Sequence, residues 1–127
     1  MIVGIGIDLV EVERMQRLLD SKGERALTRL FTADEREYAQ THPEPARQLA
    51  ARVAAKEAAY KALSGNDLAR AIGWRELEVV SRHGHAPILT LHGRAQERAT
   101  ELGVVRVHLS ITHSEHTAAA FVIAERL

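Results

Sequence analysis

Apolar and polar positions alternate over residues 2–8, with Val3, Ile5 and Ile7 on one face and Ile2, Gly4, Gly6 and Asp8 on the other. A period of two predicts a strand. Its second face is mostly bare backbone ending in a carboxylate, and glycine inside a strand marks close approach by a ligand or another backbone. The period then lengthens: Val12, Met15, Leu18 and Leu19 predict a helix from about Val10 to Leu19, with Asp8 as its cap and Arg14 and Arg17 projecting elsewhere. Ser21-Lys22-Gly23 breaks it, and a short helix follows over Glu24 to Leu30. Thr32 with Glu35 three residues on is a capping-box pattern that opens a third helix, ended by His42-Pro43-Glu44-Pro45.

The most informative stretch is the next one, a helix predicted from about Glu44 to Leu63. It is rich in Ala and Leu and has no Gly. On a wheel, Leu49, Val53, Tyr60 and Leu63 form one apolar stripe with Lys56 in its middle, where an amphipathic helix would carry an apolar residue. Glu57 and Lys61 sit four residues apart on the flank, beside Ala46, Ala50 and Ala54. Read alone, Glu57 and Lys61 are a solvated ion pair worth about 0.2–0.5 kcal/mol. The run of small side chains beside them leaves room for something to come close.

After a turn at Ser64-Gly65-Asn66-Asp67, Trp74–Val80 and Pro87–Leu91 read as a hairpin closed through His83-Gly84-His85. Residues 93–102 read as a helix that faces Ala95, Ala99 and Leu102 inward and stops at Gly103. Val105, Val107, Leu109 and Ile111 alternate with Arg106, His108, Ser110 and Thr112, a strand with one polar face, and Thr117–Ala124 supplies its buried partner. The order of elements predicts one α+β domain over residues 1–127, a mainly antiparallel sheet packed against helices.

Composition narrows the chemistry. Lys+Arg and Asp+Glu are 17 each, so overall charge gives no reason to expect nucleic acid or an anionic membrane as a partner. Aromatic content of 4% argues against stacking platforms for single-stranded nucleic acid. The absence of cysteine removes disulfides, thiolate metal sites and a Cys nucleophile, and fits the cytoplasm. The apolar run at residues 1–8 is too short for a signal peptide or a membrane span. His108, His113 and His116 match no zinc spacing, and there is no Gly-x-Ser-x-Gly elbow. What remains is a carboxylate pair, Asp8 and Glu57, of a type that suits Mg²⁺ on a phosphate-rich ligand. Beside it stand cationic groups, Arg52, Lys56 and Lys61, able to hold anionic oxygens.

Several motifs in order resemble one family. Gly4-Ile5-Gly6-Ile7-Asp8-Leu9-Val10-Glu11 is similar to the opening motif of the small bacterial 4′-phosphopantetheinyl transferases, the holo-acyl-carrier-protein synthases. Phe31-Thr32 with Glu35 and Tyr38, Arg52-Val53-Ala54-Ala55-Lys56-Glu57-Ala58 with Lys61-Ala62-Leu63, Trp74 with Leu77-Glu78-Val79, and His108-Leu109-Ser110-Ile111-Thr112-His113 resemble its later blocks. The resemblance implies transfer of phosphopantetheine from coenzyme A to a serine of apo acyl carrier protein, in support of fatty acid biosynthesis. It implies Asp8 and Glu57 as Mg²⁺ ligands, and Glu57 and Lys61 as catalytic residues, with Glu57 positioning or deprotonating the serine hydroxyl. Arg52, Lys56, Lys61, His108 and Ser110 would contact coenzyme A, and Arg14 with Arg17 would dock the carrier. The resemblance further implies a homotrimer with sites at subunit interfaces, in which Lys56 either reaches the pyrophosphate or bridges subunits. Two departures stand out: Ser64-Gly65-Asn66 replaces a Gly-Thr-Gly loop, and Ser114 stands at a position often acidic. The competing readings are a Mg²⁺-dependent phosphohydrolase and a binding subunit without turnover.

Overall fold

The structure is a computed structural model that describes residues 1–82 and 84–127. Three long strands form an antiparallel sheet in the order β1-β5-β4, where β1 is Ile2–Glu11, β4 is Val104–His113 and β5 is Thr117–Arg126. A second, two-stranded antiparallel sheet pairs β2 (Leu77–Val80) with β3 (Ile88–Leu91). The helices are α1 (Val12–Lys22), α2 (Glu24–Leu30), α3 (Ala33–Gln40), α4 (Pro45–Ala62), α5 (Asp67–Arg70) and α6 (Gly93–Leu102). The α+β architecture with mainly antiparallel sheet is as expected from the element order. His83, in the expected hairpin turn, lies outside the described residues.

Helix α4 is the core. Its alanines at 50, 51, 54, 55, 58, 59 and 62 are all buried, together with Leu49 and Leu63. A helix apolar nearly all round belongs inside a protein. The reason alanine dominates is the approach of β1: a Cβ on Gly4 would collide with the Ala62 carbonyl, and one on Gly6 with the Ala58 carbonyl. Glycine on the strand and alanine on the helix let the two backbones touch. The partner that comes close to the small-residue stretch is thus β1 itself.

That contact inverts the naive reading of the first strand. Its glycine face is the packed one, and its apolar face points outward: Ile7 and Leu9 are each 64% exposed and Ile5 56%. The register continues this face across the sheet, with Ile5 opposite Ile123, Ile7 opposite Phe121, and then Ser110 opposite Phe121 and His108 opposite Ile123.

Two local expectations change. Asp8 does not cap α1, because pairing with β5 keeps the chain extended to Glu11; Asp8 sits opposite Ala120, and Val12 N–H bonds the His116 carbonyl at 2.9 Å. Residues 74–76 form a 3-10 turn instead of the start of β2. Glu76 draws them out of the strand by accepting from the backbone N–H groups of Gly73 and Arg94. The Thr32–Glu35 capping box is present in full, and Gly103 ends α6 in the left-handed region at φ 74°.

Candidate functional site

The close packing of β1 on α4 fixes where the carboxylates meet. Asp8 follows the glycine face and points to the α4 side; Glu57 and Lys61 lie one turn apart on α4. Lys61 Nζ donates to Asp8 Oδ1 at 3.1 Å and to the Ile7 carbonyl at 2.9 Å. The expected Glu57–Lys61 surface pair is therefore replaced by a tie from α4 to β1. Burial raises the proton affinity of Glu57, and the negative charge of Asp8 raises it further, while Lys61 and Arg14 pull the other way. Among the described residues no hydrogen bond engages the Glu57 carboxylate, so its oxygens remain open to a ligand.

A cavity of about 700 Å³ is lined by Asp8, Arg14, Arg17, Val53, Glu57 and Trp74 among others. A smaller one of about 280 Å³, also bordered by Glu57, is lined by Lys56, Tyr60, Arg70, Ile72, Trp74 and Leu77 among others. Glu57 and Trp74 border both. Arg14 and Arg17, on exposed turns of α1, give one cavity a cationic rim. The arrangement places two hard carboxylate donors and two guanidinium groups around space large enough for a phosphate ester, with the Lys61 ammonium held against Asp8.

Four of the sequence candidates fall elsewhere. Lys56 is 0% exposed, and its ammonium donates to Glu35 Oε1 at 2.8 Å, the Trp74 carbonyl at 2.9 Å and the Leu77 carbonyl at 2.6 Å. All three of its donors are spent on the protein. It is therefore neither a pyrophosphate ligand nor a residue exposed for a subunit bridge. Arg52 is 2% exposed; it bonds Ser81 Oγ at 2.9 Å and stacks 4.4 Å from the Tyr38 ring centroid. It borders a different cavity, beside Glu78 and Ser81, away from Asp8 and Glu57. His108 pairs with Glu125 at 3.1 Å on the outward sheet face, and Ser110 is exposed on that same face, opposite α4. Within one chain neither reaches the carboxylates.

Trp74 is the residue that the sequence placed in a strand and in a family-like motif but not in the site. Its further signal was singularity, as the sole tryptophan of the chain. Glu35 was recognised as a capping residue, and it also holds Lys56; a charged residue in an apolar stripe was the hint that a buried counter-charge exists. The expected turn at Ser64-Gly65-Asn66-Asp67 is held by Asn66, whose side chain caps α5 at Ala69 N–H, 2.9 Å, and by Arg98, which bonds the Leu63 and Ser64 carbonyls at 2.8 and 3.0 Å. Among the described residues no three His, Asp or Glu side chains converge as a metal cluster, and no helix is long and apolar enough to cross a membrane.

Comparison with known proteins identifies the family and the fold. The family model described as the 4′-phosphopantetheinyl transferase superfamily matches residues 4–122. A holo-[acyl-carrier-protein] synthase of Alkalilimnicola ehrlichii is 48% identical over 126 residues, covering 98% of each chain. One of Anaeromyxobacter dehalogenans is 48% identical over 128 residues, covering 98% of this chain and 97% of that one. The crystal structure of the Neisseria meningitidis synthase superposes with a TM-score of 0.86 at 31% identity, covering 99% of this chain and 100% of the other. That of Bacillus anthracis, in complex with coenzyme A (3′,5′-ADP), gives 0.79 at 33% identity, covering 100% and 99%.

Proposed function

The chain belongs to the 4′-phosphopantetheinyl transferase superfamily, and we propose that it transfers 4′-phosphopantetheine from coenzyme A to a serine of apo acyl carrier protein. The observation that carries this reading is the meeting of Asp8, Glu57 and Lys61 beside a cavity rimmed by Arg14 and Arg17. The serine oxygen attacks the pantetheine-side phosphorus of the pyrophosphate. A P–O bond forms, the bond to the other phosphate breaks, and adenosine 3′,5′-bisphosphate leaves. Lys61 offers its ammonium to the anionic oxygens that gain charge in this step. Glu57, whose proton affinity is raised, positions the serine hydroxyl and takes its proton. Arg14 and Arg17 steer the carrier toward the cavity by their charge, which suits an acidic partner.

The residues also fit Mg²⁺. Asp8 and Glu57 are hard oxygen donors, two in number, with the remaining positions open to water and substrate phosphate, which is how this ion is usually held. When bound, the ion would offset charge on the pyrophosphate oxygens. The test uses apo carrier protein, coenzyme A and Mg²⁺, read by intact mass. A phosphopantetheine-sized gain on the carrier that chelator abolishes and Mg²⁺ restores is expected. No gain on any of several carriers would remove the transferase reading, and a gain indifferent to chelator would remove the metal.

The outward face of the sheet supports a shared site. Ile5, Ile7, Leu9 and Phe121 expose neighbouring apolar side chains on one sheet face, the kind of surface that marks an interaction site. Covered by further copies of the chain in a homotrimer, this face would bring His108 and Ser110 to a neighbour's coenzyme A. Light scattering at working concentration is expected to give three times the chain mass, and Ile7→Glu with Phe121→Asp to give the mass of one chain. A wild-type monomer would refute the assembly. The compartment proposed is the cytoplasm, which the absence of cysteine fits.

A further inference from the structure

Lys56 and Glu57 are neighbours on α4 with opposite fates. Glu57 opens into both cavities; Lys56 is fully buried and bonded to the segment that forms their common wall. Trp74 belongs to that wall and is carried by a three-residue 3-10 turn, a short element with little hydrogen bonding of its own. The Lys56 ammonium holds both ends of the turn, through the Trp74 carbonyl and the Leu77 carbonyl just after it, at 2.9 and 2.6 Å. Its charge is matched by Glu35, which is itself locked in place: Oε1 accepts from Thr32 N–H and Oε2 from Val79 N–H, each at 2.9 Å. One buried pair thus joins the start of α3, the middle of α4, the Trp74 turn and β2.

We propose that Lys56 is a positioning residue: pinned by Glu35, it holds the backbone of the Trp74 turn and so fixes the indole wall that borders Glu57 in both cavities. The side chain suits the task. An ammonium presents three donors around one point, which matches one carboxylate and two carbonyls converging there. A planar guanidinium is the wrong shape, and an apolar isostere leaves the carbonyls free. Displacing a wall of a reaction site by about 1 Å is enough to cost about 10²-fold in rate.

The activity arm of the test rests on the transferase reading; the spectroscopic arm does not. Because Trp74 is the only tryptophan, intrinsic fluorescence reports on that wall directly. The double variant Glu35→Gln with Lys56→Met removes both charges and is used beside Lys56→Met, so that a folded protein is available for comparison. In folded variants, judged by far-ultraviolet circular dichroism, acrylamide quenching of Trp74 is expected to rise by about twofold, and kcat/KM for coenzyme A to fall by about 10²-fold. In Trp74→Ala the further change Lys56→Met is expected to cost little more, because residues acting through one contact are not additive. Folded variants with wild-type quenching, wild-type kcat/KM, or losses that add fully to that of Trp74→Ala would each overturn the proposal. A wild-type protein without transfer would instead refute the transferase reading and leave the quenching result to decide the role of Lys56.

Discussion

Glu57→Gln is expected to lower phosphopantetheine transfer by at least about 10²-fold, the size of a lost acid–base group, without loss of the fold. The substitution keeps the shape of the side chain and removes its charge. In the proposed site that charge does two things: it supplies one of two hard oxygens for a divalent cation, and it accepts the serine proton. Stability should move the other way. Folding raises the proton affinity of Glu57, first through burial and next through Asp8, above its ordinary value of 4.5. The folded chain therefore keeps this proton to a higher pH than the unfolded chain. Where the folded form binds more protons, stability falls as pH rises. Above that window the charged Glu57 is a net cost, so metal-free Glu57→Gln should melt no lower than wild type at pH 7.5. Below the ordinary carboxylate range the two should coincide. Thermal denaturation in chelator, with intact-mass assay of the same samples, reads both effects. Wild-type turnover would exclude the metal and proton roles together, and a lower melting temperature at pH 7.5 would show that the carboxylate is stabilising instead.

Lys56→Met should produce the largest loss of stability. Removing one member of a buried ion pair leaves the other charged and uncompensated, at a cost of about 3–5 kcal/mol. Here Glu35 would keep only backbone donors, the buried Leu77 carbonyl would lose the ammonium, and the Trp74 carbonyl would keep only the Leu77 N–H. For a chain of this size that corresponds to about 10–20 °C in Tm. Adding Glu35→Gln should recover a large part of it, because the remaining amide is neutral and still accepts from Thr32 or Val79. Thermal and urea denaturation at one fixed protein concentration, which matters if copies associate, would show the pattern. A loss below about 1 kcal/mol in Lys56→Met would mean that the pair contributes far less than its burial implies.

Most of the architecture was legible because local signals agreed with one another. The Thr32–Glu35 box, the glycine stop at Gly103 and the alternation from Val107 to Ile111 each depend on neighbours in sequence, and each is found where the pattern puts it, whereas Val105, at a shift in the β4–β5 register, is exposed. Asp8 as a cap was a local signal outweighed by pairing over 112 residues of chain, from Asp8 to Ala120. Trp74 was drawn out of its strand by Glu76, whose partners include Arg94 on another helix. Neither competitor is visible in a short window.

The candidate site divides the same way. Residue types and the order of motifs identified Asp8, Glu57 and Lys61 and the family they suggest, since carboxylate and ammonium chemistry is written in the side chains themselves. Proximity is a property of the fold: only the contact of Gly4 and Gly6 with the Ala58 and Ala62 carbonyls brings Asp8 against Lys61. Burial likewise decided between Lys56 and Lys61, both of which the sequence offered as contacts for a phosphate. One ammonium ends beside a carboxylate at an open cavity, the other inside the protein holding its wall, because α4 turns one side to β1 and another to Glu35 and the Trp74 turn.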